Sequence, residues 1–284
     1  MTAPTTAPSL YKTPMGEQAI MGFYDNMLNQ WPVKKTTRTI STQHGSTFVV
    51  ACGKESAPPL ILLHGAGSNS AIWREDAKEY SRQYQVYAVD LLGEPGKSAP
   101  NRPAWDSPAY AEWLAEVCDA LKIERVTLVG ISQGAWTALK FAVYQPQRVE
   151  KLVLMTPGGV VPDKMTGIAQ LIVLSMFGKR GMRRIVRRMF GRQPMPEGID
   201  QIMAVIMNQF KPRMGVLPIF SDDELKRLTM PVFLLGGTDD MLRNMDKIAA
   251  RLRTLIPHLT VMIIPGAGHA LINTVGAVME YLTG

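Results

Sequence analysis

Six short, almost wholly apolar runs, interrupted only by Thr127, recur along the chain, and their alternation with longer segments constrains the fold more than any other feature. The runs are Pro59 to Leu63, Val86 to Val89, Val126 to Val129, Leu152 to Met155, Val232 to Leu235 and Val261 to Ile264. An apolar run without in–out alternation suits a strand covered on both faces, as in a parallel sheet. Between most of the runs lie segments with helical patterning, at 70–82, 108–121, 133–145, 242–255 and 271–282. Strand and helix in alternation predict an α/β fold, with a mostly parallel central sheet flanked by helices. Residues 35–51 read as two strands about a turn at Gln43-His44-Gly45, able to join one sheet edge as a hairpin. Residues 17–30 place Ile20, Phe23, Tyr24 and Met27/Leu28 on one helix face.

The alternation breaks once. Residues 157–228 hold no clear buried strand, yet they carry eight of the eighteen methionines. They also carry twelve Lys/Arg against six Asp/Glu, so most of the formal charge of +7 resides there. Between Lys179 and Arg192, one helical face takes Met182, Ile185/Val186 and Met189/Phe190, and the other takes Arg183, Arg184, Arg187 and Arg188. The expected organisation is a tail and helix over 1–34, an α/β core from 35–156 and 229–284, and a helical cap over 157–228 above the sheet's carboxyl edge. Most of the methionines suit packing of that cap on the core, with two or three facing an adaptable apolar pocket. The arginine face reads first as a solvated surface. An attraction for acidic substrates or for an anionic membrane surface comes second. Nucleic acid is the least favoured partner, because Phe190 is the only aromatic residue in the run.

With 46% hydrophobic and 19% charged residues, the chain can bury a sizeable core, and disorder is excluded as its dominant state. The longest apolar stretch, Ile168 to Phe177, is too short for a membrane span and contains Gln170 and Ser175. A buried or amphipathic helix is expected there. The opening MTAPTTAPSLYKTP lacks the apolar core of a secretory signal and reads as a flexible tail. Cys52 and Cys118 cannot build a disulfide framework or a cysteine-based zinc site, and read as buried thiols of a reducing compartment. A cytoplasmic location is the expectation. No metal-ligand cluster stands out. Gly65-Ala66-Gly67 would need a glycine at position 70 to make a dinucleotide motif, and Ser70 stands there. Neither a metal nor a cofactor is expected.

The sharpest local signal is Gly130-Ile131-Ser132-Gln133-Gly134, directly after the Val126–Val129 run and opening a helical segment. A G-x-S-x-G between strand and helix reads as a nucleophile elbow, in which the glycines permit a sharp turn that lifts the serine to the sheet edge. In isolation, a serine helix cap in a tight turn would look the same. Three further segments occupy matching places. His64-Gly65-Ala66-Gly67 follows the Pro59–Leu63 run, where a loop N–H can face the elbow. His64 itself reads as a hydrogen-bonder that orders this loop. Gly266-Ala267-Gly268-His269 follows the last run, and its glycines leave the ring free to reach a serine. Of the four histidines, His44 sits in a hairpin turn, His64 before a loop and His258 before a strand, so His269 is the candidate base. Gly236-Gly237-Thr238-Asp239-Asp240 follows Val232–Leu235, and an aspartate there can accept the histidine Nδ1–H and fix its tautomer.

In kind, order and sheet position these four segments make residues 35–284 similar to the serine α/β-hydrolases. The variant Asp90-Leu91-Leu92-Gly93-Glu94-Pro95-Gly96-Lys97-Ser98 stands where many members read D-x-x-G-x-G-x-S. Together with Trp31-Pro32-Val33, Ile40-Ser41-Thr42 and Ala57-Pro58-Pro59-Leu60, it resembles small bacterial carboxylesterases of the carboxylesterase NP type. The resemblance implies the α/β-hydrolase fold with a helical cap insertion, and a catalytic triad of Ser132, Asp240 and His269. It selects Asp240 over Asp239 because the family acid follows a G-x-x-D pattern after a proline-led strand, here Pro231, Gly237 and Asp240. Asn244 departs from a proline common in the family. An oxyanion hole from the N–H groups of Ala66 and Gln133 is implied as well. The implied activity is hydrolysis of small to medium apolar carboxylic esters through an acyl-enzyme, without a cofactor, and the implied partner is a small-molecule ester. Alternatives are a lactonase or C–C bond hydrolase on the same triad, a non-catalytic ligand receptor of this fold, and a lipase working at a membrane surface. Haloalkane dehalogenases and epoxide hydrolases of the fold are disfavoured, because they carry aspartate at the elbow.

Overall fold

In the computed structural model, which describes residues 9–284, every one of the apolar runs lies in one eight-stranded sheet. The chain begins with α1 (Pro14–Asn29) and the hairpin β1 (Lys35–Thr42) and β2 (Gly45–Cys52). Then come β3 (Pro59–Leu63), a 3₁₀ turn at Ser70–Trp73, α2 (Arg74–Tyr80), β4 (Gln85–Val89), α3 (Ala109–Ala120), β5 (Val126–Ile131), α4 (Gln133–Tyr144) and β6 (Val149–Met155). Next are α5 (Met165–Ser175), α6 (Gly178–Phe190), α7 (Ile199–Gln209) and α8 (Asp222–Leu225). The chain closes with β7 (Val232–Gly237), α9 (Met245–Leu255), β8 (Leu259–Ile264) and α10 (Val275–Thr283).

The sheet order is β1-β2-β4-β3-β5-β6-β7-β8. The pairs β1/β2 and β2/β4 are antiparallel and the rest are parallel, so the hairpin does occupy one edge. This order fixes where a site can form. From β3 the chain turns to β4 on one side, whereas β5 leads to β6 on the other. The loops leaving the adjacent strands β3 and β5 diverge there, and a crevice opens at their carboxyl ends. The arrangement is the α/β-hydrolase fold expected from the sequence.

Burial explains the apolar runs. Ile61, Leu63, Leu128, Leu154 and Leu234 pack on one sheet face with α3, α4 and α9. Leu60, Leu62, Val129, Val153, Phe233 and Leu235 pack on the other with α1, α2 and α10. Each fully buried side chain of this size contributes about 1.5–3 kcal/mol relative to exposure. Strand β8, at the sheet edge, alternates half-buried with exposed over Leu259–Met262.

Several boundaries move for local reasons. The helix expected over 70–82 is split, because the Asn69 side chain caps the Ala71 N–H and starts a 3₁₀ turn first. The helix expected from 242 begins at Met245, because the Asn244 side chain accepts the Lys247 N–H and makes a cap. Asn244 thus has a structural role at the position where it departs from the family proline.

The flexible tail expected over the first fourteen residues is corrected from Leu10 onward; its first eight residues lie outside the described ones. Leu10 and Tyr11 are buried against Ile20 and Phe210. Lys12 N–H donates to the Gln209 carbonyl at 2.7 Å, and Lys211 N–H donates to the Leu10 carbonyl at 2.8 Å. The helices between β6 and β7 also bring corrections. In α6 the apolar face is buried and the arginine face exposed, as the periodicity predicts. In α5, however, Gly167 is the only buried residue, and Ile172, Val173, Met176 and Phe177 at its carboxyl end are exposed. Of the eight methionines in this stretch, Met182 is buried, Met189, Met195, Met203 and Met207 are half-buried, and Met165, Met176 and Met214 face outward, so core packing does not account for those three.

Candidate active site

The turn between β5 and α4 forces Ser132 into a conformation that side chains rarely adopt, with φ +53° and ψ −107°. Such strain costs on the order of 1–3 kcal/mol and persists only where the surroundings over-determine it. Here they do. Ser132 N–H donates to the Met155 carbonyl at 2.9 Å, and the Ser132 carbonyl accepts the Trp136 N–H at 3.0 Å. A Cβ on Gly130 would lie 2.5 Å from the Gly134 carbonyl, and one on Gly134 would collide with the Leu63 carbonyl. Both glycines are therefore needed for close backbone approach, and the serine is held at the crevice.

Two loops from the far half of the sheet meet it. His269 Nε2 lies 3.0 Å from Ser132 Oγ, and His269 Nδ1 lies 2.9 Å from Asp240 Oδ2. A carboxylate at Nδ1 makes that nitrogen the donor, so Nε2 is free to accept the serine proton. The other carboxylate oxygen, Asp240 Oδ1, accepts the N–H groups of Leu242 at 2.7 Å and Arg243 at 2.9 Å. Burial pushes the Asp240 carboxyl up. The nearby His269 and the two backbone N–H bonds outweigh it and hold the group below its ordinary value. Asp239 turns the other way, to Arg192 at 3.0 Å and the Thr238 hydroxyl at 2.9 Å. The structure thus brings Ser132, His269 and Asp240 together and leaves Asp239 outside. His44 pairs with Glu112 at 3.5 Å, and His258 is exposed.

The glycines beside His269 serve a purpose the sequence did not suggest. A Cβ on Gly268 would collide with the Met189 carbonyl and lie 2.5 Å from the Gly191 nitrogen. The end of α6 is laid against this loop. Ala270 N–H donates to the Met189 carbonyl at 2.7 Å, Gly268 N–H to Phe190 at 3.2 Å, and Arg192 N–H to the Gly266 carbonyl at 2.7 Å. The start of α5 holds the acid loop in the same way. Lys164 N–H donates to the Leu242 carbonyl at 2.8 Å, Lys164 Nζ donates to the Asp240 carbonyl at 2.8 Å, and Asp163 pairs with Arg243.

The loop after β3 completes the crevice. A Cβ on Gly65 would lie 3.6 Å from Ser132 Cβ, so this loop runs directly against the elbow. His64 is fully buried and orders it. Its Nε2 accepts the Leu91 N–H at 2.9 Å, which leaves Nδ1 to donate to the Gly65 carbonyl at 2.8 Å. Burial lowers the His64 pKa and keeps the ring neutral. On the far side of Ala66, Gly67 N–H donates to Glu94 Oε2 at 2.7 Å. Glu94 is a residue the sequence reading missed as a site component. Its only signal was the departure from the family pattern at Glu94-Pro95. The Ala66 and Gln133 N–H groups have no protein acceptor among the described residues. Also among those residues, no cluster of three or more His, Cys, Asp or Glu is placed to hold a metal ion, and no helix is long and apolar enough to cross a membrane.

A nucleophile-type elbow at a topological switch point, facing a histidine and a buried acid from later loops, defines a class. Residues 60–277 match the alpha/beta hydrolase family, and the chain belongs to it. Within that family it is 31% identical over 262 residues to carboxylesterase YbfK of Bacillus subtilis, covering 87% of this chain and 86% of the relative. The crystal structure of that esterase, CesB (YbfK), is similar with a TM-score of 0.82 at 29% identity, covering 95% of this chain and 98% of that one. Naproxen esterase (carboxylesterase NP) from the same organism gives a TM-score of 0.82 at 28% identity, covering 97% and 99%.

Proposed function

We propose that the protein hydrolyses carboxylic esters of small to medium apolar substrates through an acyl-enzyme intermediate. The observation that carries this reading is the buried chain of bonds from Ser132 Oγ through His269 to Asp240, at 3.0 and 2.9 Å. Ser132 Oγ attacks the ester carbonyl as His269 Nε2 takes its proton. The Ala66 and Gln133 N–H groups hold the developing oxyanion, and donors fixed beforehand need no reorganisation in the transition state. His269 then gives the proton to the leaving alkoxide, activates a water and so releases the acid. Asp240 stays ionised throughout and stabilises the imidazolium. The curated and structural relatives named as carboxylesterases support ester hydrolysis as the reaction. The free, buried Cys52 and Cys118 fit a cytoplasmic setting.

The test is turnover of p-nitrophenyl esters of rising chain length beside a panel of lactones, with wild type and Ser132→Ala. Ester turnover abolished by the substitution supports the reading. Lactone turnover well above ester turnover moves the reaction to the lactonase or C–C hydrolase alternative. Tight ligand binding without any turnover moves it to a receptor.

A second reading, an esterase drawn to an anionic lipid surface, rests on the corner between α5 and α6. There Ile172, Val173, Met176 and Phe177 are exposed beside the exposed Lys179, Arg180, Arg183 and Arg184. From Lys164 to Pro196 the chain has no acidic residue. An apolar edge flanked by cations is the pattern of an interfacial helix. Co-flotation with phosphatidylglycerol vesicles but not phosphatidylcholine vesicles, lost in Phe177→Glu, supports it; equal flotation with neither rejects it.

A further inference from the structure

Glu94 is only 2% exposed, yet among the described residues its carboxylate forms no ion pair. The two nearest cations are committed elsewhere. Arg102 donates to the Gly93 and Lys211 carbonyls at 3.0 and 2.7 Å, and Arg213 donates to the Tyr110 hydroxyl at 3.0 Å. The Gln133 side-chain amide, beside the same carboxyl, is buried with no well-placed partner. The one close hydrogen bond the carboxylate makes is to the Gly67 N–H. A carboxylate this deeply buried, with one close backbone bond, an imperfectly placed Gln133 amide and two nearby arginines bonded elsewhere, is costly to keep, and retained costs of this kind mark functional sites.

The position of that bond gives it a purpose. The turn after β4 grips the loop after β3 twice, with Leu91 on His64 before Ala66 and Glu94 on Gly67 after it. Gly65 and Ala66 are held between the two grips, and Ala66 is the one next to the Glu94 bond. We propose that Glu94 is a positioning residue whose ionised carboxylate, by fixing Gly67, aims the Ala66 N–H at the oxyanion formed on the Ser132 ester. This rests on the ester-hydrolase reading given above. A charge-assisted bond is shorter and stronger than a neutral one, so protonation of Glu94 slackens the grip.

Protonation falls near neutral pH. Burial pushes the Glu94 carboxyl up to about 7, against the opposing pull of the Gly67 N–H, the Gln133 amide, Arg102 and Arg213. The Tyr110 hydroxyl from α3 completes the titratable groups around it, and it stays protonated, with a pKa raised to about 12. A raised carboxyl pKa also has a stability consequence. The folded state binds the proton more tightly than the unfolded chain, so stability falls as pH rises from about 4.5 through about 7 and levels off above. Glu94→Gln removes that loss.

The experiment measures kcat and kcat/KM against pH on a soluble p-nitrophenyl ester, with thermal unfolding at pH 5 and pH 9, for wild type, Glu94→Gln and Glu94→Asp. Glu94→Gln is expected to lower kcat about 10- to 100-fold, short of the 10²–10³ for removing an oxyanion donor outright, with KM nearly unchanged. Its acid limb is expected to follow a single ionisation where the wild type falls more steeply. Its Tm relative to wild type is expected to rise between pH 5 and pH 9. Glu94→Asp, which keeps the charge but shortens the reach, is expected to lose kcat while keeping the steep limb, and it decides the matter should Glu94→Gln not fold. Unchanged kcat in both variants overturns the proposal. So does a kcat loss in which the limb keeps its steepness in Glu94→Gln and Tm at pH 9 drops, since that is a merely structural role. Absent turnover in the wild type is a failure of the ester reading and is visible without either variant.

Discussion

The central strands and the helices inserted after β6 meet at the same crevice but are built on opposite terms. Along β3, Leu60 to Leu63 are all buried, as is the whole of β7. In α7 no residue is buried, and in α5 only Gly167 is. The strands are closely packed up to their carboxyl ends, so Ser132 and the loop after β3 sit on a foundation set by that packing. Of the inserted helices, α6 buries its apolar face through Met182, Ile185, Val186 and Phe190, whereas α5 and α7 are held at their ends and loosely in between. The strands and the anchored ends of α5 and α6 fix the positions of Ser132, His269 and Asp240, and the loosely packed middles of α5 and α7 are free to vary.

The comparison breaks first at the elbow. Ser132→Ala should lower kcat by about 10⁶ with far-UV circular dichroism unchanged, because the hydroxyl supports no neighbouring element. Retained turnover in a preparation free of contaminating esterase would remove Ser132 from the reaction. Next, Asp240→Asn should cost about 10⁴ in kcat by favouring the wrong histidine tautomer. Asp239→Asn should leave activity near wild type, since Asp239 faces Arg192. A reversed order between the two variants would reassign the acid.

The contrast sharpens in stability. Leu128→Ala in β5, where the side chain is fully buried, should cost about 2–5 kcal/mol in urea unfolding. Ile172→Ala in α5, 61% exposed, should stay within about 0.5 kcal/mol of wild type. Similar losses at the two positions would mean that the insertion is packed in solution as tightly as the sheet. The smallest effect concerns acid. The folded Asp240 has a pKa below its ordinary value, so its contribution is complete above the unfolded pKa of about 3.9 and is lost as pH falls through the folded one. Asp240→Asn should flatten this part of the stability curve below pH 4, and an unchanged acid slope would count against it.

The same contrast governs what could be read from the residues. Strand positions were legible because burial on both faces leaves a local mark, an unbroken apolar run such as Leu60-Ile61-Leu62-Leu63. Ser132 and His269 were legible because each follows such a run with glycines that close packing demands. Leu10 and Tyr11 were not, because their partner Phe210 lies 200 residues away for Leu10 and no periodicity links them. Ile172 to Phe177 misled for a related reason: apolarity predicts burial only where a neighbour arrives to cover it. Glu94 was hidden because a glutamate in a turn reads as solvated. Its burial comes from elements that converge from α3, α4 and the β3 loop, which no local pattern records. The adjoining family departure at Pro95 was the only trace.

Because the ends of α5 and α6 are hydrogen-bonded to the very loops that bear Asp240 and His269, the insertion cannot swing outward as a single rigid flap without pulling acid and base off their marks. The least anchored part of the insertion is the corner where α5 meets α6, with Ile172, Val173, Met176 and Phe177 exposed, since the end of α7 is tied to the Leu10–Lys12 segment. The contacts of His269 with Ser132 and Asp240 are thus braced from the insertion as well as from the sheet.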